Sequence, residues 1–389
     1  MQDFILGSRP EIYFGSGYVK DMVSALGRYG NRFLLVFGKK SVFENGAYGR
    51  ITSAIKEKNL EWEELWGVEP NPQVGKVREG IDLVRRKGID CVLGIGGGSV
   101  LDTVKAIAVG VPYHGDVWDF FSGKTKPKEM LPYGCVVTTV GSGSEVSRGC
   151  VLSNGDIKRS QSHDFFRPKF SLVDLKAMEC LSTDQILPGC MDILVHVTER
   201  YFSDTQHIEY TDALCLVTVK HIVRNMKRIK RHEEWEEAVK EIAYLSIIAQ
   251  EGYLASGRRT DGACHQLEHV LSGVYGVSHT VGIALVFFNW ARKVSAYKRE
   301  KFEKLFESMF GKEVEAEEGI KLLSAFYDEM GLTCQYGIKG DPKKAAQNLA
   351  EVCVEECGRS TVGNFMELDQ ETIAGIYAEC LKGNGGRFE

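Results

Sequence analysis

The chain has 389 residues, 43% of them hydrophobic and 26% charged, which is enough to form two domains with substantial cores. Its net charge is only -5 with both signs mixed, so we expect no nucleic-acid partner. No apolar run approaches the about 20 residues of a membrane-spanning helix, and the N-terminus lacks a signal-peptide pattern. We therefore expect no membrane partner, a cytoplasmic location and reduced cysteines.

Short apolar runs alternate with helical segments along the first half of the chain. The runs at 33–38, 90–95 and 133–138 are typical of strands buried on both faces, and 59–67 and 170–174 are also predicted strands. Alternation of this kind predicts a Rossmann-like parallel sheet of the α/β class.

A glycine run, Gly96-Gly97-Gly98-Ser99, leads from the 90–95 strand into a helix. Glycines let phosphate oxygens approach the backbone N–H groups at the positive end of a helix, so the run indicates a diphosphate site. The alternative is a tight strand-to-helix turn with no ligand, because the spacing is not Gly-x-Gly-x-x-Gly. Thr138 ends the next predicted strand, and Thr139 and Ser142 follow it, where we expect further phosphate or ribose contacts.

The pattern changes beyond Leu181, where apolar residues recur at helical spacing nearly to the end of the chain and strand-like runs are scarce. We place a domain boundary near residue 178. This predicts a dinucleotide-binding α/β domain at 1–178 and an all-helical metal-binding domain at 179–389.

The helical half contains Asp192-x3-His196 and His265-x3-His269-x9-His279. Residues i and i+4 share one face of a helix, so Asp192 and His196 can meet at a single atom. A lone pair of this kind is more often a surface or capping pair. Together with three further histidines it indicates nitrogen and oxygen ligands suited to Fe(II), Zn(II) or Mn(II). Spacing leaves open whether His265 or His269 is the third ligand.

A bend is required between His265 and His279. On one straight helix about 14 residues would hold them about 21 Å apart, much further than two ligands of one metal ion. We expect Gly273 and Gly276 to form this bend.

Four motifs together resemble a known family: Gly96-Gly97-Gly98-Ser99-x2-Asp102, Thr138-x3-Ser142-Gly143-Ser144-Glu145, Met191-Asp192-x3-His196-x2-Glu199-x-Tyr201 and His265-x3-His269-x9-His279. In order and spacing the chain resembles the iron-containing (group III) alcohol dehydrogenases over essentially its whole length. It is most similar to the branch of NADPH-dependent butanol dehydrogenases and aldehyde reductases. The resemblance implies a dehydroquinate synthase-like fold, α/β followed by all-α, and a homodimer.

The resemblance also implies roles for individual residues. The metal ligands would be Asp192, His196, His265 and His279, which selects His265 over His269. His269 then matches a histidine beside the substrate, outside the ligand set, and is a candidate for relaying a proton. The predicted cofactor-binding residues are Gly38, Lys39, Lys40, Ser41, Asn71, Gly97, Gly98, Ser99, Asp102, Thr138, Thr139, Ser142 and Lys158.

The end of the first predicted strand bears on cofactor choice. NAD-dependent relatives place an aspartate at the position of Gly38, where its carboxylate would repel a 2′-phosphate. Gly38-Lys39-Lys40-Ser41 instead offers N–H groups, ammonium charges and a hydroxyl, so we predict NADP(H) over NAD(H). The alternative is that Lys39 and Lys40 are exposed loop lysines. Many members of the family have Pro-His-Gly at the last ligand where this chain has Ser278-His279-Thr280, so the sequence does not define the shape of the substrate pocket beside Thr280.

We therefore predict a metal-dependent oxidoreductase that interconverts primary alcohols and aldehydes of short or medium length, such as butanol and butanal. It would use NADP(H) and Fe(II), with Zn(II) as a substitute. A polyol dehydrogenase of the glycerol type remains an alternative. A non-redox lyase on the same scaffold would need a set of basic residues near His265 to His279, which the sequence lacks. A non-catalytic nucleotide-binding protein would not need a full set of metal ligands.

Overall fold

The structure is a computed structural model that describes residues 1–5, 7, 10–333, 335–338 and 340–382. The chain forms two compact units. The sheet unit comprises Gly7–Ser182 and Trp235–Glu251, and the helical unit comprises Met1–Leu6, Thr183–Glu234 and Gly252–Glu389. Among the helices of the described residues, none has both the length and the apolar character needed to span a membrane.

The sheet unit alternates strands and helices. Its strands are β1 Glu11–Phe14, β2 Arg32–Phe37, β3 Glu61–Leu65, β4 Cys91–Gly96, β5 Tyr133–Val137, β6 Gly149–Asn154, β7 Ile157–Ser162 and β8 Phe170–Val173. Its helices are α1 Val19–Leu26, α2 Ser41–Glu44, α3 Ala47–Glu57, α4 Val74–Lys87, α5 Gly98–Gly110, α6 Trp118–Phe121, α7 Leu175–Glu179 and α10 Trp235–Gln250.

Six strands form a parallel sheet in the order β1-β8-β5-β4-β2-β3, while β6 and β7 form a separate antiparallel hairpin. Every residue of β4 and β5 is buried, which accounts for their continuous apolar runs. The predicted parallel sheet is confirmed, and all five predicted strands belong to it. The sequence did not predict β1, which has only four residues, or the β6–β7 hairpin, whose second strand is mostly polar.

The strand order reverses direction between β2 and β4. From β2 the chain moves outward to β3, then crosses back to place β4 on the other side of β2. A crevice at the carboxyl ends of strands, at such a switch point, is the usual ligand site of a parallel sheet. Gly38 directly follows β2 and Gly97 directly follows β4, so two of the predicted cofactor loops flank this point.

Helix α10 joins the sheet unit although it follows two helices of the helical unit in sequence. The indole N–H of Trp235 donates to the Glu179 carbonyl at 3.2 Å, and the Ser246 hydroxyl donates to the Gly141 carbonyl at 3.2 Å. Both units are therefore discontinuous in sequence, with junctions at 6/7, 182/183, 234/235 and 251/252. The predicted domains 1–178 and 179–389 are instead continuous. That continuous division stays a prediction.

The helical unit contains α8 Thr183–Tyr201, α9 Glu209–Arg231, α11 Ala263–Tyr275, α12 His279–Val294, α13 Arg299–Phe310, α14 Ala316–Met330, α15 Pro342–Cys357 and α16 Gln370–Cys380. The ten residues 282–291 of α12 are all buried, as expected for a helix that is apolar on every side. Helix α12 packs against α8, α11 and α16. The predicted helical second half is confirmed, and this packing brings the three helices that carry the predicted metal ligands together.

Gly134 provides a test of the packing between β5 and β8. A Cβ atom at Gly134 would lie 2.3 Å from Phe170, whose ring is fully buried and stacks on Tyr29 at 5.9 Å. We expect Gly134→Ala to lower the free energy of unfolding by about 1–3 kcal/mol because the ring cannot move aside. The midpoint of urea unfolding measures this.

The control is Gly49→Ala on α3. Gly49 is exposed and its added Cβ would meet nothing within 4 Å, so alanine should stabilise the helix by up to about 1 kcal/mol. Equal urea midpoints for Gly134→Ala and the unmodified protein would show that this contact is not tight.

Candidate functional site

Three helices bring one carboxylate and three imidazoles to a common point. Asp192 and His196 lie on α8, His265 lies in the first turn of α11, and His279 is the first residue of α12. The Asp192 Oδ1 atom lies 3.3 Å from His196 Nε2 and 3.5 Å from both His265 Nε2 and His279 Nε2. One face of α8 thus supplies Asp192 and His196, as their spacing predicts.

The spacing of these atoms fits a metal ion. Ligands at about 2.1 Å in a tetrahedron lie about 3.4 Å from one another, which matches the three measured distances from Asp192 Oδ1. The ligand atoms of Asp192, His265 and His279 all lie within 4.8 Å of one another. Among the described residues, both Asp192 oxygens and His265 Nε2 are buried without a hydrogen-bond partner. Buried polar atoms are rarely left this way, so the cluster has the character of a cation site.

The ionisable groups of the cluster shift one another's pKa values. Burial raises the pKa of Asp192, but the surrounding histidines outweigh it and hold this pKa well below its usual range. Burial lowers the pKa of His196 well below its usual value, which favours the neutral imidazole that a metal requires. Burial also lowers the pKa of His265, but Glu199 and Asp192 together raise it to about 10. The two carboxylates therefore favour positive charge beside His265, on the imidazole or on a cation bound to it.

Two buried glutamates orient the imidazoles. Glu199 Oε2 lies 2.7 Å from His265 Nδ1, and Glu199 Oε1 accepts the backbone N–H of His265 at 3.1 Å. Glu268 Oε2 lies 2.5 Å from His279 Nδ1. Each contact turns the other ring nitrogen, Nε2, toward Asp192, in the arrangement common at metal-bound histidines.

Neither glutamate was predicted from the sequence to have a role. Glu199 is part of one of the four motifs, whereas Glu268 is part of none. A signal was nevertheless present, because each glutamate follows a predicted ligand, His196 or His265, by three residues on the same helix. Glu199 nevertheless bonds His265 and not His196, and Glu268 bonds His279 and not His265, so only the packing of the helices shows the partner of each.

The bend before His279 begins at Gly276. Gly276 ends α11 in the left-handed conformation at φ 66°, whereas Gly273 lies inside the helix, so the prediction that Gly273 helps to form the bend was wrong. The helix continues through Gly273 because a single glycine is tolerated there. Gly282, one turn into α12, makes room for Glu268, since an added Cβ would lie 3.0 Å from Glu268 Oε1.

His269 lies one turn after His265 on α11, and its ring centre is 6.5 Å from that of His265 and 6.1 Å from that of His279. It therefore lies beside the cluster on the same helix. Thr280 lies in the first turn of α12 and is half-buried.

The glycine loop and the loop after β5 are in close contact within the sheet unit. A Cβ at Gly97 would lie 2.8 Å from the Thr139 hydroxyl oxygen, and a Cβ at Gly98 would lie 2.8 Å from that of Ser142. Among the described residues no side chain caps the start of α5, so Gly98 and Ser99 begin the helix with its N-terminal N–H groups available. Four of the predicted cofactor residues thus meet at one place.

Other predicted cofactor residues lie nearby in the fold. The Thr138 N–H donates to the Gly96 carbonyl at 3.1 Å, which places Thr138 directly beside the glycine loop. Asp102, on α5, accepts the Ser144 hydroxyl at 2.8 Å and the Val151 N–H at 3.2 Å, so its carboxylate bonds to the protein itself. Lys158 lies on β7 and is buried, a position that its sequence context did not indicate.

The loops after β2 and β3 lie side by side. The Gly67 N–H donates to the Gly38 carbonyl at 3.0 Å. Lys39 Nζ lies 3.1 Å from Glu69 Oε1, with both side chains largely exposed. Lys40 is exposed and precedes Ser41, the first residue of α2.

Asn71 has φ 54° although it is not glycine and precedes a proline. Backbone in this sparsely populated region is concentrated at ligand-binding loops, which is consistent with a functional position.

Comparisons with known proteins agree with these observations. Residues 10–175 match the family "Iron-containing alcohol dehydrogenase", and residues 186–381 match "Fe-containing alcohol dehydrogenase family, C-terminal". A probable NADH-dependent butanol dehydrogenase of Bacillus subtilis is 32% identical over 390 residues, covering 98% of this chain and 100% of the relative. An NADPH-dependent aldehyde reductase of Escherichia coli is 25% identical, covering 97% and 99%.

A solved structure is also similar. The crystal structure of an NADH-dependent butanol dehydrogenase from Thermotoga maritima is 30% identical, with a TM-score of 0.90 and coverage of 98% of this chain and 99% of that one. The predicted fold class and family are confirmed. The chain belongs to the iron-containing alcohol dehydrogenase family and is an alcohol/aldehyde oxidoreductase with a nicotinamide cofactor.

Proposed function

We propose that the protein interconverts primary alcohols and aldehydes of short or medium chain length, such as butanol and butanal, with NADP(H) and one Fe(II) ion, or Zn(II) as a substitute. The observation that carries the proposal is the set of three imidazole nitrogens at 3.3–3.5 Å from one buried carboxylate oxygen. A metal-dependent reaction at an oxygen-bearing carbon needs such a set, with one coordination position left for the substrate.

Each residue of the centre has a proposed role. Asp192, His196, His265 and His279 would hold the ion. Glu199 and Glu268 would fix the rings of His265 and His279 through Nδ1, as their distances of 2.7 and 2.5 Å support. When bound, the ion supplies a Lewis acid that draws electron density from the alcohol or aldehyde oxygen.

We assign His269 to proton transfer. The alcohol product needs one proton for every hydride that reaches the aldehyde carbon, and an imidazole exchanges protons near neutral pH. Its ring lies 6.1 Å from that of His279, on the same helix as His265. His269 therefore lies beside the proposed metal ligands without being one of them.

The cofactor would bind along the carboxyl edge of the parallel sheet, where the nicotinamide supplies or accepts the hydride. Gly97, Gly98 and Ser99 would receive the pyrophosphate, with the Thr139 and Ser142 hydroxyls beside it. The contacts of those hydroxyls with the two glycines support this assignment. Thr138, Asp102, Asn71 and Lys158 remain predicted contacts to the rest of the cofactor.

The preference for NADP(H) is supported by Gly38, which leaves no carboxylate at the end of β2 to repel a 2′-phosphate. Lys39, Lys40 and Ser41 follow directly, and all three are exposed. The ion pair between Lys39 and Glu69 is exposed, and such pairs contribute only about 0–1 kcal/mol, so Lys39 can turn to a phosphate at little cost. The names of the relatives include both NADH and NADPH, which makes the preference a property to be measured on this chain.

The polyol alternative differs from this proposal in its substrate, and rates on glycerol and butanol separate the two. The homodimer and the cytoplasmic location stay predictions. Light scattering after gel filtration tests the first, and cell fractionation tests the second.

Asp192→Asn tests the metal dependence. Asparagine keeps the shape but removes the charge that attracts the cation. Loss of an outer partner of a metal ligand costs about 10–100-fold, and loss of a direct ligand should cost at least about 100-fold in butanal-dependent NADPH oxidation. Protein reconstituted anaerobically with Fe(II) is compared with a chelated sample, and bound iron is measured in parallel.

His207→Asn is the matched control, because His207 is an exposed histidine of the helical unit with φ 59°, a conformation that asparagine tolerates. It should keep both iron and activity. Full activity of Asp192→Asn, or of the chelated protein, would contradict a metal-dependent reaction.

Glu268→Gln tests whether the outer carboxylate orients His279. The amide keeps the volume of Glu268 but removes its charge, so we expect metal affinity to fall about 10–100-fold. Competition with a chromophoric chelator measures the affinity. The control is Glu317→Gln, on the exposed surface of α14, which should leave the affinity unchanged. Equal affinities for both variants would remove Glu268 from the centre.

Gly38→Asp tests the cofactor preference. A Cβ at Gly38 would lie 3.5 Å from the Val68 carbonyl oxygen, an ordinary contact, so the side chain fits. Its carboxylate should repel a 2′-phosphate and accept ribose hydroxyls, lowering the ratio of kcat/KM for NADPH to that for NADH about tenfold or more. Gly38→Ala has the same Cβ without charge and should keep the ratio. A preference of the unmodified protein for NADH would overturn the NADP(H) assignment.

A further inference from the structure

Lys105 is a lysine in the interior of the sheet unit. It lies on α5, two turns after the glycine loop, and its side chain is 0% exposed. Its ammonium group donates to the Ser147 hydroxyl at 3.0 Å and to the carbonyl oxygens of Gly149 at 2.7 Å and Ser147 at 3.4 Å. Asp102 Oδ1, one turn earlier on the same helix, lies 3.9 Å away and supplies a counter-charge.

Asp102 bonds the same stretch of chain as Lys105. It accepts the Ser144 hydroxyl and the Val151 N–H, so the two charged side chains of α5 together hold the chain from Ser144 to Val151 at several points. Burying an ammonium group is costly unless it is paired and hydrogen-bonded, and an apolar side chain would fill the same space at lower cost. Simple packing of the core therefore does not explain a lysine here.

The held segment leads directly to the cofactor loops. Thr139 and Ser142 lie a few residues before Ser144 on the same chain, and their hydroxyls contact Gly97 and Gly98 at the start of α5. Lys105 is on that same helix. The glycine loop is held in place because it begins α5. The chain that carries the two hydroxyls is held by the bonds that Lys105 and Asp102, on the same helix, make to the segment after it.

We infer that Lys105 is a positioning residue of the cofactor site, which holds the 144–151 segment so that the Thr139 and Ser142 hydroxyls face the glycine loop in the geometry that binds a dinucleotide pyrophosphate. It touches neither the cofactor nor the substrate. This inference rests on the proposed assignment of Gly97, Gly98, Thr139 and Ser142 to the cofactor. Preorganisation of this kind affects cofactor affinity, because a loose segment must be ordered when the ligand binds.

The test is Lys105→Met, which keeps the length of the side chain and removes the ammonium group. NADPH binding is titrated by fluorescence with the full-length protein, with the metal centre loaded identically in each variant. Without the bonds from the ammonium group, we expect the backbone of about one residue in the 144–151 segment to be ordered only when NADPH binds. That cost corresponds to about a tenfold rise in the Kd for NADPH. The KM for NADPH should rise in parallel, whereas kcat at saturating NADPH and the amount of bound metal should stay within about threefold, since Lys105 acts before the chemical step.

Ile107→Ala is the matched control for a destabilised α5. Ile107 is buried on the same helix and faces Gly80 on α4. It should lower the melting temperature at least as much as Lys105→Met while leaving the Kd unchanged. If the Kd rises equally in both variants, general loss of stability explains the effect and the inference is overturned.

Ser147→Ala keeps the inference testable if Lys105→Met does not fold. It removes one of the three oxygens that accept from the Lys105 ammonium group. The Kd for NADPH should therefore rise about two- to fivefold, less than for Lys105→Met, with little change in melting temperature. A Kd equal to that of the unmodified protein would overturn the inference. If the unmodified protein itself does not bind NADPH, the proposed cofactor fails instead, so the two failures are distinguishable.

Discussion

The structure of the helical unit depends on one buried negative charge. Asp192 is 1% exposed, and a carboxylate in such a place is stable only when charges or hydrogen-bond donors compensate it. The side chains closest to it are His196, His265 and His279, which lie on three different helices, and a cation held among them would supply this compensation. The relative positions of α8, α11 and α12 are therefore tied to one carboxylate oxygen.

The outer residues increase the need for a cation. Asp192, Glu199 and Glu268 carry three negative charges when ionised, while neutral imidazoles carry none. All three carboxylates are buried. In the proposed function a divalent ion at the common point would offset two of these charges, and the same two glutamates would orient the rings that hold it. The same bound cation would therefore serve the proposed reaction and stabilise the three buried carboxylates.

Much of the fold was predictable because its signals are local. The apolar runs of β2, β4 and β5 follow directly from burial on both faces of a parallel sheet, and the pair Asp192 and His196 follows from helical periodicity. The features that were missed depend on distant contacts. Helix α10 has an ordinary helical sequence, and its place in the sheet unit is visible only in bonds such as Ser246 to Gly141. In the β6–β7 hairpin the second strand is mostly polar, so it gives little periodic signal.

The candidate site shows the same division. The spacing of Asp192 and the histidines predicted the residues of the proposed metal cluster, but it left open whether His265 or His269 is a ligand. It also predicted a bend at both Gly273 and Gly276, although α11 continues through Gly273. The spacing of Glu268 after His265 did not reveal its partner, because His279 lies on the next helix and comes close only through the turn between the two helices. Lys105 is an ordinary charged residue in the sequence, and only its complete burial reveals that it holds a neighbouring loop.

We propose that one aspartate and three histidines bind a single metal ion. X-ray absorption spectroscopy at the iron edge, on protein reconstituted anaerobically with one equivalent of Fe(II), measures the ligands of that ion. We expect oxygen and nitrogen neighbours at about 2.1 Å, no sulfur shell, and the multiple-scattering pattern of three imidazoles that decreases to two in His265→Ala. A sulfur shell near about 2.3 Å, or an imidazole count unchanged by that substitution, would contradict it.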